Sequence, residues 1–146
     1  MSSPDPDALE AFLAEPRNAM IAGVRRDGRP HLTPNWFLWD SERFYVSTTK
    51  DRVKYRIFSH DPRVQVVVDD VMGFRYVIVD GTVEISEDVE SGLGYFRALR
   101  HKHGRTEQDD AELRQEMIDD GRVLLVITPD RPPSEWLSIG LSVESG

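Results

Sequence analysis

The sequence predicts a mainly β (α+β) domain, a small barrel of about six antiparallel strands with helices packed outside it. Short apolar, β-branched runs recur along the chain, and most are separated by tight turns. Helical spacing is confined to the N-terminus, to one segment after the third strand and to an insertion at about 88–121. The alternating strand–helix rhythm and the glycine-rich loops of a doubly wound sheet are missing. With 146 residues, the chain fits a single domain spanning 1–146.

The first third of the chain predicts a helix followed by a three-stranded meander. Residues 7–15 carry Leu9, Phe12 and Leu13 on one helical face, and a proline follows. Strands are predicted at 18–24, 31–39 and 44–48. The Asp-Gly pair at 27–28 supplies the positive φ that a tight hairpin needs. Pro34 places the second strand at a sheet edge or at a bulge.

The next segment predicts a short helix and two strands. Asp51 is a candidate N-cap for a helix with Val53, Ile57 and Phe58 facing inward, which ends at residues 60–62. The β-branched run 64–68 predicts a buried strand, and 74–85 predicts a longer one that bends at Gly81.

The remaining third predicts two helices and the last strands. Val89, Leu93, Phe96 and Leu99 recur at helical spacing before Gly104. A second, acidic helix begins at Thr106 and ends at Gly121, and its apolar residues are Leu113, Met117 and Ile118. The apolar run 123–127 predicts a core strand, and 135–139 predicts a short terminal one.

Composition limits the classes of function. The formal net charge is −8, whereas residues 50–56 contain two lysines and two arginines against Asp51 alone. An acidic chain with one dense basic segment argues against nucleic-acid binding and fits a small anion. The chain has no cysteine, and no apolar run approaches the roughly 20 residues of a membrane span. Because no signal peptide is visible either, we expect a cytoplasmic protein without a membrane span.

The segment from Ser47 to Lys54 is the candidate site. It joins a strand end to a helix start, where free backbone N–H groups and the helix dipole favour an anion. The hydroxyls of Ser47, Thr48 and Thr49 suit phosphate oxygens, as do the cations Lys50, Arg52 and Lys54. On local chemistry alone, a solvated basic helix explains this segment equally well.

The sequence resembles the flavin/deazaflavin oxidoreductases with a pyridoxamine 5'-phosphate oxidase-like split β-barrel, and among them the actinobacterial branch described as dependent on coenzyme F420. Five stretches carry the resemblance, in the family's order and at similar spacing. They are residues 27–30 with 35–37, residues 44–48, residues 52–56, residues 61–64, and Tyr76 through Gly81. They cover residues 18–85. The helical insertion and the strand at 122–129 also match the family pattern.

The resemblance implies an FMN-binding split-barrel fold, a homodimer, and a cofactor site at the subunit interface. It places the cofactor phosphate at residues 47–54, with Arg52 and Lys54 as ligands and Val53 between them. It places the ring beside Pro34, Asn35 and Trp36. Arg75 and Tyr76, together with Phe74 and the chain end near Trp136, are expected to reach the site from the partner subunit.

The implied cofactor is coenzyme F420, with FMN as the alternative, since the two share the ribityl-phosphate portion. Lys50 adds a cation for the anionic tail of F420. The implied activity is hydride transfer from the reduced deazaflavin to a small organic acceptor, and no catalytic acid or base is assigned. Three alternatives stay open. They are an FMN-binding pyridoxamine 5'-phosphate oxidase-like protein, a non-catalytic flavin or deazaflavin binder, and a barrel that holds another phosphate.

No metal site is expected. His101 and His103 are two apart on a predicted helix and therefore point to different faces. Trp36 and Trp39 are three apart on one strand, so they also point to opposite faces, and one of them is expected to line a pocket or an interface.

Overall fold

The computed structural model describes residues 3–105 and 108–142. It contains four α-helices, one short 3-10 helix and eight strands. Their bounds are α1 (Pro6–Ala14), β1 (Asn18–Val24), β2 (Pro30–Trp36), β3 (Leu38–Trp39), β4 (Phe44–Thr49), α2 (Val53–His60), β5 (Arg63–Asp69), β6 (Tyr76–Ser86), α3 (Val89–Lys102), α4 (Asp110–Asp120), β7 (Arg122–Pro129), the 3-10 helix (Pro133–Glu135) and β8 (Leu137–Ile139).

All strands belong to one antiparallel sheet that curls on itself. The strand order is β2-β1-β5-β6-β7-β4-β3, and β8 pairs with β6. The two ends of this order, β2 and β3, are consecutive in the chain and separated only by Phe37. A sheet whose two edges are joined by one residue must bend round, which confirms the predicted barrel. Pro34 lies in the edge strand β2, as its missing N–H requires.

The core has two parts, one on each face of β7. Leu125 and Ile127 belong to the main cluster inside the barrel. Leu124 packs outside the barrel against Phe96 of α3 and Met117 of α4. Both faces of β7 are therefore covered, which explains why its residues 123–127 are apolar without alternation.

The described chain corrects three details of the predicted elements. The predicted strand 31–39 is interrupted at Phe37 and forms two strands, β2 and β3. The sheet has eight strands in all, where about six were predicted. Asp51 does not cap α2, because its Oδ1 accepts from Thr49 Oγ1 and Arg52 occupies the N-cap position. Val53 is 42% exposed rather than facing inward, and it lines a surface groove instead.

The last helix begins later than predicted. α4 starts at Asp110, and the side chain of Asp109 caps it by accepting from Glu112 N. The predicted start at Thr106 lies outside the described residues. Its end at Gly121, which has φ of 65°, is confirmed. Within the described ranges, none of the helices is long and apolar enough to cross a membrane.

Candidate functional site

The junction between β4 and α2 leaves the first turn of α2 open to an anion. β4 ends at Thr49, α2 begins at Val53, and the N-cap residue Arg52 makes no side-chain cap. The first turn of α2 contains no acidic residue. Its backbone N–H groups and the positive end of the helix dipole therefore lack a side-chain acceptor, which favours an anionic ligand.

Strand pairing brings Arg122, which is distant in the chain, next to this junction. β4 pairs with β7 so that Thr49 lies opposite Arg122, and Lys50 N donates to Gly121 O at 3.1 Å. Burial lowers the pKa of the half-buried Lys54, and the positive charges of Arg52 and Arg122 lower it further. The three cations therefore lie within electrostatic reach of one another, which a bound anion would relieve.

The guanidinium of Arg122 has a donor without an acceptor. Its Nη1 donates to Ser47 Oγ at 3.5 Å, whereas its Nε is buried and makes no hydrogen bond with any residue that the structure describes. The carboxylate of Asp120 is 3.8 Å from Nε, within ion-pair range but too far for a hydrogen bond. A buried N–H that lacks an acceptor is uncommon in a folded chain.

A cleft of about 250 Å³ opens beside Arg122. It lies between β2, β4 and the helical insertion. Its lining residues are Pro34, Asn35, Trp36, Ser47, Phe96, Leu99, Arg100, Arg105 and Arg122. This lining contains three arginines and no carboxylate, next to aromatic and aliphatic carbons. Such a surface suits a flat, anionic ligand.

The C-terminal end of α3 buttresses the mouth of the cleft. The imidazole of His103 stacks on the indole of Trp36, with ring centroids 4.7 Å apart and planes 4° apart. Burial lowers the pKa of His103, and the positive charge of the adjacent Lys102 lowers it further. A hydrogen bond to the backbone of Phe37 acts in the opposite direction and offsets part of this shift. His103 Nε2 is buried and makes no hydrogen bond with the described residues.

Asn35 is fixed by its own strand. Its Nδ2 donates to Thr33 O at 2.8 Å and to Thr33 Oγ1 at 3.1 Å, and only 9% of Asn35 is exposed. Trp36, at 39% exposed, lines the cleft, and Trp39 packs against Phe44 and lines a separate surface groove. The prediction that one of the two tryptophans lines a pocket is confirmed.

The predicted phosphate residues divide into two groups. Ser47 lines the cleft, and Arg52 and Lys54 lie close to Arg122. In contrast, Thr48 is buried and Val53 lines a different groove.

Lys50 and Thr49 are engaged with neighbouring carboxylates. Lys50 Nζ lies 3.4 Å from Glu87 Oε1, and Glu87 also accepts from Tyr55 Oη at 2.7 Å. The hydroxyl of Thr49 donates to Asp51. Lys50 is therefore partly neutralised before any ligand arrives.

Arg75 and Tyr76 do not line the cleft of this chain. Arg75 Nε donates to Asp70 Oδ2 at 3.1 Å, and its guanidinium lies 5.2 Å from the ring centroid of Phe12. Tyr76 pairs with Ile139 at the start of β6. Their predicted contribution from a partner subunit stays a prediction.

Sequence reasoning did not assign the cations contributed by the second half of the chain. Arg100 and Arg105 come from α3 and the residues after it, and Arg122 begins β7. One local signal was present, since Arg122 directly follows the helix-ending Gly121. Its contact with Ser47 depends on the pairing of β4 with β7, which local patterns do not specify. Across the described residues, no group of three or more His, Asp or Glu is placed to hold a metal ion.

Solved structures share this fold. An F420 reductase is 31% identical to this chain, and the two superpose with a TM-score of 0.67. The match covers 84% of this chain and 93% of the reductase. A conserved hypothetical protein from Mycobacterium tuberculosis is 22% identical and superposes with a TM-score of 0.79. That match covers 94% of this chain and 86% of the other protein. HutZ, the heme storage protein from Vibrio cholerae, is 16% identical, with coverages of 94% and 96% and a TM-score of 0.73.

A family model described as pyridoxamine 5'-phosphate oxidase matches residues 5–132, which include the whole barrel up to the end of β7 and the helical insertion. The fold and the family resemblance deduced from the sequence are thereby confirmed. The chain belongs to the pyridoxamine 5'-phosphate oxidase family and has its split β-barrel fold.

Proposed function

We propose that this protein is an F420-dependent oxidoreductase that reduces a small organic acceptor. The observation that carries the proposal is the guanidinium of Arg122 beside Ser47, in a cleft that three arginines and a tryptophan line. The 31% identity to an F420 reductase supports the choice of cofactor.

In this proposal the phosphate of the cofactor binds at the start of α2. Arg52, Lys54 and Arg122 supply positive charge, and Ser47 and the N–H groups of the first turn supply hydrogen bonds. The ring lies along Pro34, Asn35 and Trp36. The guanidinium of Arg122 suits a phosphate because its planar N–H groups match two oxygens, which a lysine does not.

When bound, the reduced deazaflavin supplies the hydride. The chain itself binds and orients the ring and keeps water from one side of it. Phe96 and Leu99 of α3 form an apolar wall of the cleft, and the stacked pair of His103 and Trp36 stiffens its rim.

We also propose that the protein is a homodimer in which each subunit completes the other's site. The hairpin between β5 and β6 presents Val71, Met72 and Phe74, which are 99%, 69% and 68% exposed. Leu32 on the edge strand β2 is 55% exposed. Apolar side chains that protrude in this way are typical of protein–protein contacts. Arg75 and Tyr76 follow this hairpin tip and would reach the partner's cleft with it.

Three other candidates differ in the cofactor, in turnover or in the phosphate that is bound. One of them, a barrel that holds another phosphate, would bind neither F420 nor FMN. An FMN-binding oxidase-like protein uses the same phosphate residues, and the family match favours it. A non-catalytic binder would hold either cofactor without reducing an acceptor.

A fluorescence titration of the purified protein with F420 and with FMN tests the proposal. We expect tighter binding of F420, and about tenfold weaker binding of it by Arg52→Ala and by Lys54→Ala, because each loses one charge-assisted contact. Reduced F420 should then be oxidised by an enone or a quinone in the presence of the protein. Tighter binding of FMN would favour the FMN-binding candidate, and binding of F420 without turnover would favour the carrier.

A further inference from the structure

A second groove, of about 460 Å³, lies between the β1–β2 hairpin and α2. Its lining residues are Val24, Arg25, Arg26, Asp27, Val53, Arg56, Ile57 and His60. None of them lines the cleft beside Arg122. Its volume lies within the roughly 300–1,000 Å³ of small-molecule sites in proteins.

The charges of this groove are unbalanced. Three arginines line the groove together with a single carboxylate, that of Asp27. Asp27 already accepts from Arg29 N at 3.0 Å and lies 3.7 Å from Arg25 Nη2. In the part of the chain that the structure describes, Arg26 and Arg56 take part in no ion pair. Cations gathered in one groove repel each other, and an anion bound among them would be stabilised.

The groove also has an apolar side. Val24 and Ile57 line it, and Val53, at 42% exposed, turns toward it rather than toward the core. An apolar ligand part that covers these carbons gains about 25 cal/mol for each Å² of apolar surface removed from water. The groove therefore combines a hydrophobic wall with uncommitted positive charge.

The walls of the groove are held in place by the backbone. A Cβ at Gly23 would lie 2.8 Å from Ile57 Cγ2, so α2 packs more closely against β1 than any side chain there would allow. The hairpin opposite is closed by a hydrogen bond from Arg25 N to Arg29 O at 2.8 Å, and Gly28 has φ of 85°. A preformed site loses little conformational entropy on binding.

We infer that this groove binds a small amphiphilic organic anion, with its apolar body against Val24, Val53 and Ile57 and its carboxylate, sulfonate or phosphate group among Arg26 and Arg56. It is a site separate from the cofactor cleft, and the inference does not depend on which cofactor the cleft holds.

The test is a titration of the full-length protein with the fluorescent probe 8-anilinonaphthalene-1-sulfonate, followed by competition with octanoate. The double variant Arg26→Gln/Arg56→Gln removes both uncommitted charges from the groove. Arg29→Gln is the matched control, because Arg29 belongs to the same hairpin but does not line the groove. We expect the dissociation constant for the probe to rise at least about tenfold in the double variant and to stay within about twofold of wild type in the control.

Two further readouts separate this inference from the cofactor assignment. Backbone amide NMR shifts caused by the probe should concentrate at Val24, Val53 and Ile57, and octanoate should reverse them. Affinity for F420 or FMN should be the same in the double variant and in the wild type. Unchanged probe binding in the double variant would overturn the inference, as would shifts confined to Asn35, Ser47 and Arg122. A tenfold loss of cofactor affinity in the double variant would also overturn it, because the groove would then belong to the cofactor site.

Discussion

Arg122 links the two halves of the candidate site. It begins β7, lies opposite Thr49 in the register of β4 and β7, and reaches Ser47 with Nη1 while its Nε stays without an acceptor. A single side chain thus connects the junction between β4 and α2 to the cleft. Because Arg122 lines the cleft, it should contribute more to cofactor affinity than Lys50, which does not line it and lies 3.4 Å from the carboxylate of Glu87.

Arg122→Gln should weaken binding of F420, or of FMN, by about 10- to 100-fold. A hydrogen bond to a charged group contributes about 1.5–3 kcal/mol, and each 1.4 kcal/mol is a factor of ten in affinity. Fluorescence titration of the purified variant measures the change. Arg131→Gln is the control, because the side chain of Arg131 is 72% exposed and lies outside the cleft. An affinity within twofold of wild type for Arg122→Gln would remove Arg122 from the site.

Lys102 predicts a pH dependence of stability. Its Nζ donates to Leu13 O at 2.7 Å and lies 3.5 Å from the ring centroid of Phe37. Burial, followed by repulsion from Arg17, lowers the pKa of Lys102 to about 8, compared with about 10.4 in an unfolded chain. Between these two values the unfolded chain binds more protons than the folded one. The contribution of Lys102 to the free energy of unfolding therefore rises with pH in that window and is least favourable below it.

Unfolding of the wild type and of Lys102→Met by urea, from about pH 7 to about pH 10, measures this effect. As the pH rises, the free energy of unfolding of the wild type should increase by about 1 kcal/mol relative to that of Lys102→Met. The effect is this small because the side chain is only half-buried and solvent screens part of it. Other titrating groups contribute to both proteins and cancel in the difference. A difference that stays constant or falls would contradict the assignment.

At the scale of elements, the close approach of α2 to β1 depends on Gly23. Replacement of Gly23 by alanine would place a Cβ 3.0 Å from the ring of Phe58 and even closer to Ile57. Gly94, inside α3, has open space at its Cβ position. Gly23→Ala should lower the free energy of unfolding by about 1–3 kcal/mol, because it overpacks a filled interface. Gly94→Ala should raise it by up to about 1 kcal/mol through helix propensity.

Urea unfolding of both glycine variants in one buffer gives the comparison. A stabilising Gly23→Ala would mean that α2 has room to move away from β1 without cost. In that case the groove between α2 and the hairpin would not be preformed.

Local patterns predicted most elements because their spacing reports burial on one face. Leu9, Phe12 and Leu13 are all buried in α1, and the β1–β2 hairpin turns at Gly28 as expected. The failures occurred where a second group competed. Asp51 has the residue type of a cap, yet the hydroxyl of Thr49 binds it instead. The three arginines of the cleft depend on long-range pairing and helix packing, which no local pattern encodes.

For the whole molecule, closure of the barrel brings together residues that are distant in the chain. Since β2 and β3 flank Phe37 at the closing point, Trp36 lies next to the strand pair β4–β7 and to the end of α3. Acidic and basic side chains are also unevenly distributed over the molecule. Residues 84–120 hold 11 acidic against 5 basic residues, in and around the helical insertion, whereas the cleft and the groove are each lined by three arginines.

The exposed tip of the β5–β6 hairpin makes a prediction about the oligomeric state. Three apolar side chains, Val71, Met72 and Phe74, stand at least 68% exposed there, and Arg75 and Tyr76 follow them. Covering this tip with a second copy would remove apolar surface from water and bring Arg75 toward the partner's cleft. Light scattering after gel filtration should therefore give twice the chain mass of 16.7 kDa.

Phe74→Asp should shift this mass toward that of the monomer and should weaken cofactor binding in parallel, because a charge on the tip opposes burial. Ile118→Asp is the control, since Ile118 is an apolar residue of α4 that is 54% exposed and does not belong to the tip. It should leave both the mass and the affinity unchanged. A wild-type monomer that binds cofactor with full affinity would show that one chain forms the whole site. If Phe74→Asp stays dimeric but binds cofactor more weakly, the tip contributes to the cofactor site and is not required for dimer formation.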